Sequence, residues 1–190
     1  MQQWMKTVAA GMVVLGTAAP ALAVTAAESA GITVTDAPFR TFGRSVTAVF
    51  YIDAPPIAVF EVLTDYAHMA EFMPMVDEAK PLAIRPNGAT VSYHMRYMRF
   101  FDIVEIDERT YDKPRRITWH ATEGPLKVSD GSWTMTPQGK GTRVVYQTDV
   151  DPGIPVPPAL VGHMLKRGLP EVLTAIRLRV ESKGTWRKPR

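Results

Sequence analysis

From Val76 to Val150 the chain carries strand patterning with no helical period, and this long run constrains the fold more than any other feature. Candidate strands fall at Val76–Arg85, just after Asn87-Gly88, and at Phe101–Thr110, Arg116–Thr122, Val128–Thr136 and Thr142–Val150. Asn87-Gly88 is a strong hairpin signal, and Pro81 marks its strand as an edge or the site of a bulge. After the hairpin, Val91, Tyr93, Met95 and Tyr97 face one way while Ser92, His94 and Arg96 face the other. Such consecutive strands pair antiparallel and need one cover for their apolar face.

The flanks supply the cover. Arg44–Asp53 alternates Val46, Ala48, Phe50 and Ile52 against polar neighbours and predicts a first strand. Ala54-Pro55-Pro56 ends it, and proline suits the first turn of a following helix, Ile57–Tyr66. A second short helix, His68–Phe72, stops before Pro74. At the other end, the proline-rich hinge Asp151–Pro158 leads to a helix over Ala159–Lys183, with Val161, Leu165, Leu169, Val172, Leu173, Ile176 and Val180 on one stripe. Gly168 and Pro170 interrupt it and predict a kink or break. The expected architecture is α+β: a curved antiparallel sheet wrapped around a long C-terminal helix, with two short helices after the first strand.

The first 23 residues read as a signal peptide: Lys6, an apolar stretch Thr7–Pro20, and Ala21-Leu22-Ala23 as the small-x-small cleavage signal. The apolar part is short for a hydrocarbon core of about 30 Å. The organisation expected is a signal peptide (1–23), a linker with an edge segment (24–43), a ligand-binding domain (44–183) and a basic tail (184–190), the mature protein being periplasmic. With no cysteine, the chain has no disulfide, thiolate metal site or cysteine nucleophile. Residues 24–156 carry 13 Lys/Arg against 17 Asp/Glu, a net of −4, whereas residues 157–190 carry 8 against 2, a net of +6. This basic end suits either a solvated helix face or contact with anionic lipid, through Lys166, Arg167, Arg177 and Arg179 among others. Nucleic acid is not expected to meet an exported chain.

The stretch Ile52–Val76, IDAPPIAVFEVLTDYAHMAEFMPMV, resembles the START-like (SRPBCC) superfamily, in particular its polyketide cyclase/dehydrase and coenzyme-Q-binding group. The shared pattern is Ala-Pro-Pro after the first strand, a Val-aromatic-x-Val-Leu-x-Asp-Tyr helix, and Phe-x-Pro. Ile154-Pro155 and Leu173-x-x-Ile176-Arg177 extend the likeness over about Ser45–Glu181. The resemblance implies a helix-grip fold around an apolar cavity, in a group that ranges from lipid carriers to cyclases. It implies no catalytic residues.

Candidate chemistry is sparse. His68, His94, His120 and His163 show no metal-ligand spacing, and His94 and His120 sit opposite the apolar positions of their strands. Asp65 reads as a helix-end residue, and Asp130-Gly131-Ser132 as a bulge or turn. Glu123, Asp130 and Asp102 are the carboxylates that could face a cavity, with no nucleophile to pair with. No cofactor or metal is expected. The apolar side chains say more: Met73, Met75, Tyr93, Met95, Tyr97, Trp119, Trp133, Met135, Met164, Leu165 and Leu169 form the candidate ligand lining, although each singly also suits ordinary core packing.

Three functions fit these residues. The first is an exported carrier of a hydrophobic ligand such as a lipid, sterol-like molecule or quinone. The second is a cyclase/dehydratase-type enzyme on a hydrophobic or polyketide-like substrate, and the third an accessory interaction module without ligand. A large apolar cavity without a perturbed ionisable group would favour the carrier, two converging titratable groups the enzyme, and a filled core the accessory module.

Overall fold

The structure, a computed structural model, describes residues 31–97 and 101–189. The signal peptide assigned to residues 1–23 and the first part of the linker lie outside the described residues. Eight strands form a single antiparallel sheet: β1 (Thr33–Phe39), β2 (Gly43–Ile52), β3 (Val76–Arg85), β4 (Gly88–Tyr97), β5 (Phe101–Asp112), β6 (Arg116–Glu123), β7 (Val128–Gln138) and β8 (Gly141–Asp151). Between β2 and β3 lie α1 (Pro56–Leu63), a 3-10 turn (Tyr66–His68) and α2 (Met69–Phe72); α3 (Pro158–Glu181) follows β8. The sheet order is β1-β2-β8-β7-β6-β5-β4-β3, so β2 pairs with the last strand and the hairpins β3 to β8 run outward from it.

One face of this sheet is apolar along most of its width. Val46, Ala48, Phe50 and Ile52 of β2 continue through Val144 of β8, Met135 and Trp133 of β7, and Ile117 of β6. The helices cover it. Val59, Phe60 and Leu63 of α1, and Leu169, Val172, Leu173 and Ile176 of α3, join the same core. Full burial of a Leu or Ile side chain is worth roughly 1.5–3 kcal/mol, which is what keeps α3 on the sheet.

Of the kink or break expected at Pro170, the break does not occur: α3 runs unbroken over 24 residues. The proline removes a single hydrogen bond, to the carbonyl four residues before it. Leu169 on one side and Val172, Leu173 and Ile176 on the other are buried in the same core, so packing holds the helix across the defect. No helix among the described residues is long and apolar enough to cross a membrane.

The part of the linker that is described adds β1, an edge strand beside β2, in keeping with the expected edge segment. The opposite edge, β3, is blunted by a register shift between Pro81 and Ala83 and by exposed Asp77, Glu78, Lys80 and Arg85. The Asn87-Gly88 hairpin forms as expected.

The basic C-terminus folds back as a strap. After α3, Lys183 and Gly184 adopt left-handed φ of 54° and 81°, and the Gly184 N–H donates to the Arg179 carbonyl at 2.8 Å, closing the helix. Trp186 then packs on the core, and Lys188 Nζ donates to the carbonyls of Met73 (2.9 Å) and Val76 (3.1 Å). Arg179, 4% exposed, reaches Glu71 Oε2 at 3.1 Å and the Trp186 carbonyl at 2.8 Å, and Arg187 shares the same carboxylate. Arg179 is therefore turned inward, not toward a membrane surface. Glu71→Ala should cost about 1–3 kcal/mol by leaving a buried guanidinium short of its partner. Glu78→Ala, at an exposed site, should change the urea midpoint little.

Candidate functional site

Strand β5 departs from the rule that apolar side chains turn inward. Its inner phase is Ile103, Glu105, Asp107, Arg109 and Tyr111, while Val104 is 58% exposed on the outer face. Glu105, Asp107 and Arg109 are 4%, 6% and 7% exposed. Three ionisable groups two residues apart are thus buried on one strand, where an uncompensated charge is costly. Tyr93, directly across the ladder from Glu105, brings its hydroxyl to accept from Arg109 Nη1. Ser129 Oγ donates to Glu105 Oε1 at 3.0 Å. Above the strand, the 3-10 turn places Tyr66 with its hydroxyl against that of Tyr111. The Arg109 guanidinium lies 5.6, 5.8 and 5.9 Å from the ring centres of Tyr66, Tyr93 and Trp119.

These partners do not satisfy the cluster. Glu105 Oε2 and Asp107 Oδ1 are buried without a donor from outside the carboxyl pair, and Arg109 Nε is buried without an acceptor, among the described residues. Burial, reinforced by the neighbouring Asp107 carboxylate, pushes the Glu105 carboxyl up to about 8. Asp107 is also raised, by burial first, with Arg109 opposing the shift. A hydrogen bond between the two carboxyls requires one of them to keep a proton, and Glu105 is the one that does at neutral pH. Burial also raises the Tyr93 and Tyr111 phenols, which stay neutral.

Beside the cluster stands an aromatic wall. Trp119 stacks on Tyr146 (5.6 Å between centres, 22° between planes), and Trp133 lies 4.4 Å from Tyr146 and 6.5 Å from Trp119. Gly131 makes room for it: a Cβ there would come within 2.3 Å of the Trp119 ring and of the Gln147 carbonyl. Asp130-Gly131-Ser132 is accordingly an unbroken stretch of β7, not the bulge or turn expected from sequence.

Of the expected lining, Tyr93 and Trp119 touch the polar cluster, and Trp133 belongs to the aromatic wall. Met135 is fully buried and fills the core. Met95, Met73, Met75 and Leu165 are partly buried against that core, and Leu169 is buried within it. Met75 lies where a side chain at Gly168 would touch it, at 3.9 Å. Tyr97 pairs with Phe101 along the backbone; its side chain, like that of Met164, lies outside the described residues.

The carboxylates expected to face a cavity do not. Asp130 meets His120 Nδ1 at 2.6 Å and Asp102 meets Arg96 Nε at 3.1 Å, both on the outer face, and Glu123 is exposed. Glu105 and Asp107 take the interior in their place. Asp65 is a turn residue as expected, bonded to His68 at 2.8 Å. Outside, Asp77, His94 and Asp102 bring ligand atoms within 4.8 Å of one another, but Arg96 already bridges the two carboxylates (2.9 and 3.1 Å). An apolar cavity of about 340 Å³ lies between α3 and the strap, lined by Pro170, Thr174, Leu178 and Trp186. A polar one of about 480 Å³ lies on the outer face, around His120, Asp130, Gln147 and Asp149. Neither contains the β5 cluster.

An antiparallel sheet gripping a long C-terminal helix, with an inner face part aromatic and part ionisable, defines a helix-grip protein of the START-like class. The model of the family described as "Polyketide cyclase / dehydrase and lipid transport" matches residues 43–181, and the chain belongs to that family. No curated protein matches by sequence. Among solved structures, a protein of Thermus thermophilus superposes with a TM-score of 0.68 at 23% identity, over 74% of this chain and 99% of the other. An aromatase/cyclase from a Streptomyces species gives 0.64 at 20% identity, over 74% and 95%. A STAR-related lipid transfer protein from Xanthomonas axonopodis gives 0.69 at 20% identity, over 79% and 93%. At these identities the likeness is one of fold.

Two outcomes follow from the geometry. Gly131→Ala should destabilise by about 1–3 kcal/mol, because ring and carbonyl must both move; denaturant unfolding measures it. Glu105 binds its proton more tightly folded than unfolded, so stability falls as pH rises from about 4.5 toward about 8. Thermal unfolding should show a midpoint several degrees lower at pH 9 than at pH 6, and Glu105→Gln should remove most of that slope.

Proposed function

We propose that this protein is exported to the periplasm and binds a hydrophobic ligand between the sheet and α3, with the ligand's polar end against Glu105, Asp107 and Arg109. The observation that carries this reading is the division of the inner face into an aromatic wall and a buried polar cluster with unpartnered atoms. An amphipathic molecule meets both demands at once: apolar surface for Trp119, Trp133 and Tyr146, and hydrogen-bonding groups for the cluster. The lipid transfer protein among the structural neighbours supports it. Export rests on Lys6, the apolar run and Ala21-Leu22-Ala23.

A second reading is favoured by one feature, the proton held by Glu105 beside Asp107. In a cyclase/dehydratase, Asp107 would take a proton from carbon while Glu105 gives its proton to a departing hydroxyl, releasing water. The aromatase/cyclase among the neighbours supports this alternative.

Protein recovered from its own host should begin at Val24 and, in native mass spectrometry, carry an apolar adduct that denaturation releases. A chain still beginning at Met1 overturns export. An adduct-free protein that also fails to take up lipid from vesicles overturns the carrier. Conversion of a hydroxylated polyketide analogue by the wild type, lost in Glu105→Gln, would move the assignment to the enzyme.

A further inference from the structure

Across the outer face of the sheet runs a row that breaks the pairing rule for strands. Asp130 of β7 stands directly opposite Asp149 of β8, and like charges so placed destabilise a sheet. His120 of β6 and Ser45 of β2 extend the row on either side. Asp130 Oδ1 meets His120 Nδ1 at 2.6 Å, and Ser45 Oγ donates to Asp149 Oδ1. Each carboxylate is thus held by one oxygen and keeps the other, Oδ2, without a partner among the described residues. Two residues along β7, Ser132 lies in the same phase as Asp130 and opposite Gln147. Ser132 is 5% exposed, lines the polar cavity of about 480 Å³, and makes no side-chain hydrogen bond among the described residues. A buried hydroxyl in that position calls for a partner from the cavity.

The chemistry of this cavity limits its occupant. Hydroxyls, an amide and two carboxylates line it, so a hydrocarbon would strip them of water and offer nothing in return. The facing carboxylates repel an anion. An ion with its inner waters, each taking about 30 Å³, fills only part of the space, and the guanidinium of Arg116 is also in the lining. A sugar hydroxyl both donates and accepts. It can donate to a free carboxylate oxygen while accepting from Ser132, the Gln147 amide or Arg116. The row from Ser45 to His120 crosses four strands, about 14 Å, which suits linked rings rather than one. Independently of the carrier reading, we infer that the outer face binds an uncharged oligosaccharide, with Asp130 and Asp149 accepting from its neighbouring hydroxyls beside Ser132 and Gln147.

Backbone amide shifts of the full chain, followed by NMR during titration with maltotriose, cellotriose and triacetylchitotriose, test it. Calcium chloride, spermidine and sodium sulfate serve as ionic controls. At least one trisaccharide should shift the amides of Ser132, Gln147 and Asp149 saturably, with a Kd of about 1 mM or tighter. Asp149→Asn keeps an acceptor for Ser45 but removes the charge facing Asp130. It should weaken that binding at least about tenfold while the urea midpoint holds or rises. Ser132→Ala should weaken the same binding severalfold. The inference is overturned if no trisaccharide binds, if only an ionic control does, or if binding survives both substitutions undiminished. It is equally overturned if binding is lost only together with a fallen urea midpoint. None of these outcomes bears on the carrier reading.

Discussion

The interior of this protein depends on the phase of a single strand. β5 turns Glu105, Asp107 and Arg109 inward and leaves Val104 in solvent, the reverse of what transfer energies favour for an isolated strand. Both neighbours hold it in that phase. β4 pairs Tyr93 against Glu105 and Val91 against Asp107, and β6 pairs Ile117 against Tyr111 and Trp119 against Arg109. A one-residue slip would expose all of those residues at once, so the register is strongly determined. The cost of burying three ionisable groups is reduced by Tyr93, Ser129, the rings around Arg109 and a retained proton, yet among the described residues Arg109 Nε has no acceptor and the carboxyl pair no donor to Glu105 Oε2 or Asp107 Oδ1 from outside itself. A local violation of this kind, inside a sheet otherwise consistent with its pattern, is where a functional site is expected.

The rest of the fold secures that surface from two sides. α3 buries Leu169, Val172, Leu173 and Ile176 over β2 and α1, and the apolar packing carries it past Pro170. Arg179 ties α3 directly to α2 through Glu71, and the C-terminal strap adds Arg187 on the same carboxylate and Lys188 at the start of β3. Several of the basic residues that give this end its charge are therefore structural. Their positive charge is met by Glu71 and by backbone carbonyls, and a reading of the charge run as membrane-facing does not apply to Arg179.

The architecture was legible because its signals are periodic and local: alternation in β2, β4 and β8, Asn87-Gly88 at a hairpin, Pro55-Pro56 opening a helix. The inward aromatic side chains were legible for the same reason, since Tyr93, Trp119 and Trp133 lie in phase with apolar neighbours. The polar cluster was not. In Val104-Glu105-Ile106-Asp107 the apolar residues outcompete the acids in any inward-facing reading, and only the ladder to Tyr93 and Trp119 reverses the choice. A trace was present, because Ile103, Glu105, Asp107, Arg109 and Tyr111 share one phase and Tyr111 belongs inside. Gly131 was misread for a related reason. Glycine in a strand signals either a turn or a close approach, and the approaching ring, Trp119, comes from a neighbouring strand.

Side-chain carboxyl carbon shifts, followed by NMR from pH 4 to 10 with and without lipid taken up from vesicles as the probe, test the central claim most directly. The β5 pair should titrate in two linked steps, the later one near 8 in the free protein, and the bound head should shift both resonances. A Glu105 carboxyl that titrates near its ordinary 4.5 and does not respond to the probe would contradict the account.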